Sequence, residues 1–230
     1  MVAQHDRGRE PVVRDYWSHY VDVVAPCVCA RCNNGWMNVL DQDAQPLLAS
    51  LVSSLERHAL APEDQRRSAT WAMKVALVLD YAVTTSHPDA DPSPLGIVQP
   101  SVRQRLYDDR LPLPDTYVWL AAQNTAEPLI LSLAGGKQGP PPNLLGTPLL
   151  GEKRHRMYVA TFRVNHAIFQ VFVPDPDSRW VPIRGGFDDA VIQLWPPTFR
   201  TSYWPPSSLI DENEDMEALH RSLGSMPTIL

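Results

Sequence analysis

The chain is poor in cysteine, short of basic charge and without long apolar runs, and each shortage excludes something. No stretch reaches the roughly 18 consecutive apolar residues that a membrane-spanning helix needs, so no transmembrane segment is predicted. The opening Met1-Val2-Ala3-Gln4-His5-Asp6-Arg7 has no apolar core of the kind a signal peptide carries. Only 3 cysteines occur, clustered and without obvious disulfide partners, which fits a reducing compartment. These absences together predict a cytoplasmic protein. Motifs that would announce an activity are also missing: there is no Ser-His-Asp grouping, no H-E-x-x-H, no G-x-S-x-G and no dinucleotide fingerprint. Gly135-Gly136-Lys137 lacks the P-loop spacing, and no Ser or Thr follows the lysine. With 20 basic against 26 acidic residues the formal net charge is −6. A protein that grips a phosphate backbone shows a basic balance or a basic stripe, so the overall charge argues against non-specific nucleic-acid binding.

Proline, by contrast, is abundant: 23 in 230 residues, about twice the average share, which points to much extended or irregular backbone. A hydrophobic fraction of 44% and this length suffice for a real core, in one large domain or two small ones packed together. Apolar residues Val39, Leu40, Ala44, Leu47, Leu48, Leu51, Val52 and Leu55 recur at three- and four-residue spacing, the stripe of an amphipathic helix. Asn33 or Asn34 is its expected N-cap, and Pro46 is expected to kink or divide it. Pro62, followed by Glu63 and Asp64, opens a second helix. From Ala69 to Val83 that helix is apolar nearly all round, as a core helix is. Ser101 is expected to cap a short helix from Val102 to Asp109.

Beyond Pro112 the pattern changes to strands. Tyr117 to Leu120, Leu129 to Leu133, Met157 to Val164, Ala167 to Val173 and Ala190 to Trp195 are β-rich runs. Val21 to Ala25 is a further short candidate. Asn165-His166 supplies the hairpin turn between the central pair, with His166 exposed. Gly135 to Gly151 reads as a flexible loop, and Asp211 to Leu223 as an acidic C-terminal helix. Trp195-Pro196-Pro197 recurs as Trp204-Pro205-Pro206, two extended segments expected to lay their indoles over the sheet. Segregated runs of helices and strands predict an α+β fold: a helical region over 1–110 and an antiparallel sheet region over 111–230, packed as one unit.

Chemistry gathers at Cys27-Val28-Cys29-Ala30-Arg31-Cys32-Asn33-Asn34-Gly35-Trp36-Met37. A tight turn ending in C-x-x-C aims two sulfurs at one point, half of a tetrahedral zinc site. No second cysteine pair exists to complete it; His19, with Cys27, Cys29 and Cys32, would make a Cys3His set. Cys29-x-x-Cys32-Asn33-Asn34-Gly35-Trp36-Met37, running on to Leu40-Asp41, resembles the second zinc knuckle of HNH-type endonuclease proteins. It is similar to the C-x-x-C-N-N-G-W-M…L-[ED] form carried by many uncharacterised actinobacterial proteins. Trp71-Ala72-x-Lys74-x-Ala76, Leu194-Trp195-Pro196 and Trp204-Pro205-Pro206 extend the likeness. The resemblance implies one structural zinc at the knuckle and no other cofactor. The family's first C-x-x-C and its acidic-His pair have no match here, so the knuckle stands as a degenerate one. Gln4 precedes His5 where the family has an acid, and asparagine cannot act as a base.

Two further residues single themselves out. Lys74 and Asp80 are charges in an otherwise apolar helix, six residues and about 240° apart, so they do not pair with each other. Each must reach a rim or find a partner; the sharper reading has them lining a cleft, where acid/base work would suit them. Lys74, Asp80 and His19 are therefore the catalytic candidates, and Trp36, Trp71 and Tyr81 the candidates for an apolar pocket wall. His58, His155 and His220 read as surface residues. The function expected is a degenerate HNH-like scaffold reused to bind or convert a small organic molecule. The alternatives are a metal-dependent HNH-type nuclease or nucleic-acid-binding protein, with His5 or His19 as its base, and a non-catalytic interaction subunit, which leaves oligomerisation open.

Overall fold

In the computed structural model the described residues are 12–17, 28–85, 98–124, 130–138, 155–174, 180–184, 186–211, 218–219 and 222–227. The first half contributes strand β1 (Val12–Trp17), a short helical turn α1 (Ala30–Cys32) and a π-helical turn (Asn33–Met37) that leads into α2 (Asn38–Ser53). Strand β2 (His58–Leu60) and helices α3 (Pro62–Thr85) and α4 (Pro100–Asp109) follow. The second half carries β3 (Tyr117–Ala122), β4 (Ile130–Gln138), β5 (His155–Val164), β6 (Ala167–Pro174) and β7 (Trp180–Arg184). After them come β8 (Val191–Trp195), β9 (Ser202–Trp204) and β10 (Leu223–Pro227). Helices thus fill the N-terminal half and antiparallel sheets the C-terminal half, the α+β arrangement that the segregated sequence pattern predicts. No helix among the described residues is long and apolar enough to cross a membrane.

The main sheet runs β1-β4-β5-β6-β3-β8, with every ladder antiparallel. Its centre is the β5–β6 hairpin, turned at Asn165, whose φ of 50° is one that asparagine tolerates better than most residues. All eight residues of β6 are buried, because both faces of the sheet are covered. On one face Tyr158, Ala160, Phe162, Phe169 and Val171 join Ala69, Ala72, Met73 and Ala76 of α3 in one core. Small residues on α3 let that helix lie close to the sheet. The Tyr158 hydroxyl donates to the Ala76 carbonyl at 2.9 Å, and the Trp71 indole meets the Phe169 and Phe162 rings at 5.3 and 6.0 Å. On the opposite face Ile168 packs with Ala190, Ile210 and Leu219. Gln170 there donates to the Leu219 carbonyl at 3.0 Å, and Arg163 donates to the Gln123 side-chain carbonyl.

The two Trp-Pro-Pro segments part company. Trp195 donates its indole N–H to the Leu113 carbonyl at 2.8 Å, beside the sheet. Trp204 is wholly buried and donates to the Ser54 carbonyl at 3.0 Å, while its strand pairs with β2. The second segment therefore plugs the α2–β2 corner, and Gln65 secures it by donating to the Leu60 and Arg200 carbonyls at 3.0 and 2.6 Å.

Several local expectations need correction. Neither Asn33 nor Asn34 caps α2: both lie inside the π-turn, Met37 holds the α2 cap position without a side-chain bond, and Cys29 caps α1. The interruption falls at Gly35, where φ and ψ leave the helical range, whereas α2 continues through Pro46. Gln99, not Ser101, precedes the first turn of α4, because Pro100 needs no N–H partner at that position. Strand β4 extends through Gly135-Gly136-Lys137 to Gln138, where turn residues suggested loop. An N-terminal segment supplies β1 as a sheet edge against β4, while the candidate strand Val21 to Ala25 lies outside the described residues. Leu223 opens β10 instead of ending a helix; of the acidic segment before it, residues 212–217 lie outside the described residues. His58 is half-buried opposite Trp204, and His166 is half-buried with Nδ1 at 2.9 Å from the Gln123 carbonyl oxygen.

Candidate functional site

The cysteine turn sits against α3 and α4, and between them lies a cleft of about 340 Å³. Its position follows from local sequence. Cys29 accepts the backbone N–H of Cys32 on its sulfur at 3.4 Å, which closes the first turn, and both cysteines line the cleft. The break at Gly35 then turns the chain so that Trp36 and Met37 form a wall before α2 begins. Leu77 and Val78 of α3 form the floor, and Leu106 of α4 closes the far side. Trp36 is held in place from behind: Arg110 stacks over its ring at 4.6 Å, and Tyr107 meets it edge-on at 5.7 Å. Its indole N–H is buried without a hydrogen-bond partner.

Two cations line the same cleft, Lys74 from α3 and Arg103 from α4. Each is anchored by a carboxylate that is not among the lining residues. Lys74 pairs with Asp41 of α2, whose same oxygen accepts the Trp71 indole N–H at 3.0 Å. Arg103 pairs with Asp80 at 2.5 Å and donates a second N–H to the Leu77 carbonyl at 2.5 Å. Asp80 also accepts the Val98 backbone N–H at 3.0 Å. At 1% exposure Asp80 does not reach a rim; it is a buried ion in a paired and hydrogen-bonded setting. Nearby, burial first, and then the Asp80 charge, hold the Tyr158 phenol well above its usual range, so it stays a donor. The Cys29 thiol is held below its ordinary value, first by the Cys32 backbone N–H and then by the Cys32 side chain.

The structure thus gathers some of the sequence-selected residues and separates others. Cys29, Cys32, Trp36 and Lys74 share the cleft. Asp80 stands behind it, through Arg103. Trp71 packs on the sheet and steadies Asp41. Tyr81 continues α3, but its side chain lies outside what is described, as do Cys27, His19 and His5. Sequence reasoning missed Arg103 and Asp41. The signal was there in a general form, since a charge in an apolar helix demands a counter-charge, but nothing in the spacing picks Arg103 from the 20 basic residues of the chain. Among the described residues no group of three His, Cys, Asp or Glu side chains is placed to hold a metal ion; Cys29 and Cys32 contribute two sulfurs. A second hollow of about 410 Å³ lies between α2, the start of α3 and the end of α4. Its charges include Glu63, already paired with Arg66 and with Arg67 at 3.3 Å, so it reads as a solvated face. Comparison with family models, curated proteins and solved structures finds no match for this chain.

Proposed function

We propose that the chain binds a small organic molecule in the cleft between the cysteine turn, α3 and α4. The observation that carries this reading is the make-up of the lining: Trp36, Met37, Leu77, Val78 and Leu106 surround a volume of about 340 Å³, with a few polar groups converging on it. Apolar walls with sparse, well-anchored polar groups are the usual character of small-molecule sites, at volumes of roughly 300–1,000 Å³. The anchoring pairs Lys74–Asp41 and Arg103–Asp80 hold their cations in fixed positions, and pre-ordered groups bind at lower entropic cost. Conversion of the ligand, in this reading, falls to Lys74, which lines the cleft, as the acid. One structural zinc, held by Cys27, Cys29, Cys32 and His19, would fix the turn that forms the cleft wall.

Titration with a neutral apolar fluorophore, N-phenyl-1-naphthylamine, tests the reading. The fluorophore is expected to bind at one saturable site in the wild-type protein. Val78→Trp, which fills the cleft from a half-buried position, is expected to lower that affinity about tenfold or more with the circular-dichroism spectrum unchanged. Equal binding by a folded Val78→Trp variant would place the fluorophore elsewhere and sink the proposal.

A further inference from the structure

We infer that the cleft selects an organic anion: a compact apolar body carrying one carboxylate or similarly charged acceptor group. The inference rests on the cleft reading above and goes beyond it to the ligand's charge. Of the described residues that line the cleft, two are cations and none is an acid. The two carboxylates that balance those cations are not among these lining residues: Asp80 is buried and Asp41 is half-exposed. An ammonium offers three N–H donors and a guanidinium five. Among the described residues Lys74 donates to Asp41, and Arg103 donates to Asp80 and the Leu77 carbonyl; donors remain on both.

A ligand entering the cleft therefore meets hydrogen-bond donors with positive charge and, among the described lining residues, no carboxylate. The Lys74 side chain is 10% exposed and that of Arg103 27% exposed, so bulk water screens them weakly. Charge-assisted hydrogen bonds are shorter and roughly twice as strong as neutral ones. A cationic ligand would place like charges together in a half-desolvated space, which disfavours it. Val28, Trp36, Met37, Leu77, Val78 and Leu106 supply apolar walls, so the rest of the ligand gains most by being apolar.

Isothermal titration with three eight-carbon probes of one shape separates the possibilities: octanoate, octanol and octylamine. Octanoate is expected to bind about tenfold or more tightly than octanol, with octylamine not binding. Lys74→Met, which leaves Arg103 as the cation in the described lining, is expected to weaken octanoate about threefold or more relative to octanol, and Lys74→Arg to restore the preference. Octanol and octanoate binding equally would overturn the charge selectivity while leaving the cleft itself standing. Failure of both to bind, together with no response to the fluorophore, would remove the cleft reading as well. An octanoate preference that survives a folded Lys74→Met variant at full strength would also overturn the inference as argued.

Discussion

Asp80 is an acid with 1% exposure on a helix whose neighbouring turns supply Ala76, Leu77 and Leu79 to the core. Leaving such a carboxylate alone in apolar surroundings would cost several kcal/mol. Its oxygen Oδ2 instead meets the Arg103 guanidinium at 2.5 Å and the Val98 N–H at 3.0 Å. This one residue thereby fixes α4 to α3 and sets the far wall of the cleft. Truncating it leaves Arg103 without its counter-charge and Val98 without its acceptor. Asp80→Ala is therefore expected to destabilise the fold by about 3–5 kcal/mol, the usual loss for breaking a buried pair from one side. Asp80→Asn, which keeps an acceptor oxygen, is expected to lose less. Urea unfolding of both variants measures it, and a change below about 0.5 kcal/mol in Asp80→Ala, a typical surface value, would show that the pair does not hold the helices together.

At the scale of an element, the cysteine turn is among the shortest structured pieces and the one with most chemistry. Three residues of α1 do not make a stable helix alone. The turn is held by the Cys32 N–H on the Cys29 sulfur at 3.4 Å, by the Asn33 N–H on the Cys29 carbonyl at 3.0 Å, and by continuity with α2. Backbone N–H groups aimed at a sulfur favour its thiolate, the form that binds metal. Two sulfurs on one turn fit half a tetrahedral site, and the proposed remainder is Cys27 with His19. Purified protein from zinc-replete medium is expected to carry one zinc per chain by elemental analysis, and Cys29→Ala or Cys32→Ala to lose it. Metal-free protein with its thiols reduced and its fold intact would refute the proposed ligand set. The cleft does not depend on this outcome in kind, only in how firmly its cysteine wall is held.

Across the whole molecule, what could be read from sequence was whatever is local. Helical periodicity found α2 and α3, and β-rich runs with an Asn-containing turn found β5 and β6, because each depends on neighbours within a few residues. Lys74 and Asp80 stood out for the same reason, as charges in an apolar helix. Their partners were illegible: Asp41 lies 33 residues from Lys74 and Arg103 lies 23 from Asp80, and only the packing of α2 and α4 on α3 selects them. The edge strand β1 escaped notice likewise, since its place is set by pairing with β4 more than a hundred residues on. The same long-range logic bears on how the chain unfolds. Leu51 of α2, Met73 of α3, and Phe169 and Val171 of β6 belong to one cluster, with Trp204 reaching back from β9. A helical half and a sheet half that each kept a separate core could melt apart, whereas halves sharing one core lose it together. Leu51→Ala on the helical side is expected to cost about 2–5 kcal/mol and Phe169→Ala on the sheet side about 3–5 kcal/mol. Both are expected to lower the temperature of one common calorimetric transition. If Leu51→Ala instead shifts the loss of helix signal alone and leaves the sheet melting where it was, the two halves are independent units, and the α3–sheet core does not bind them into one.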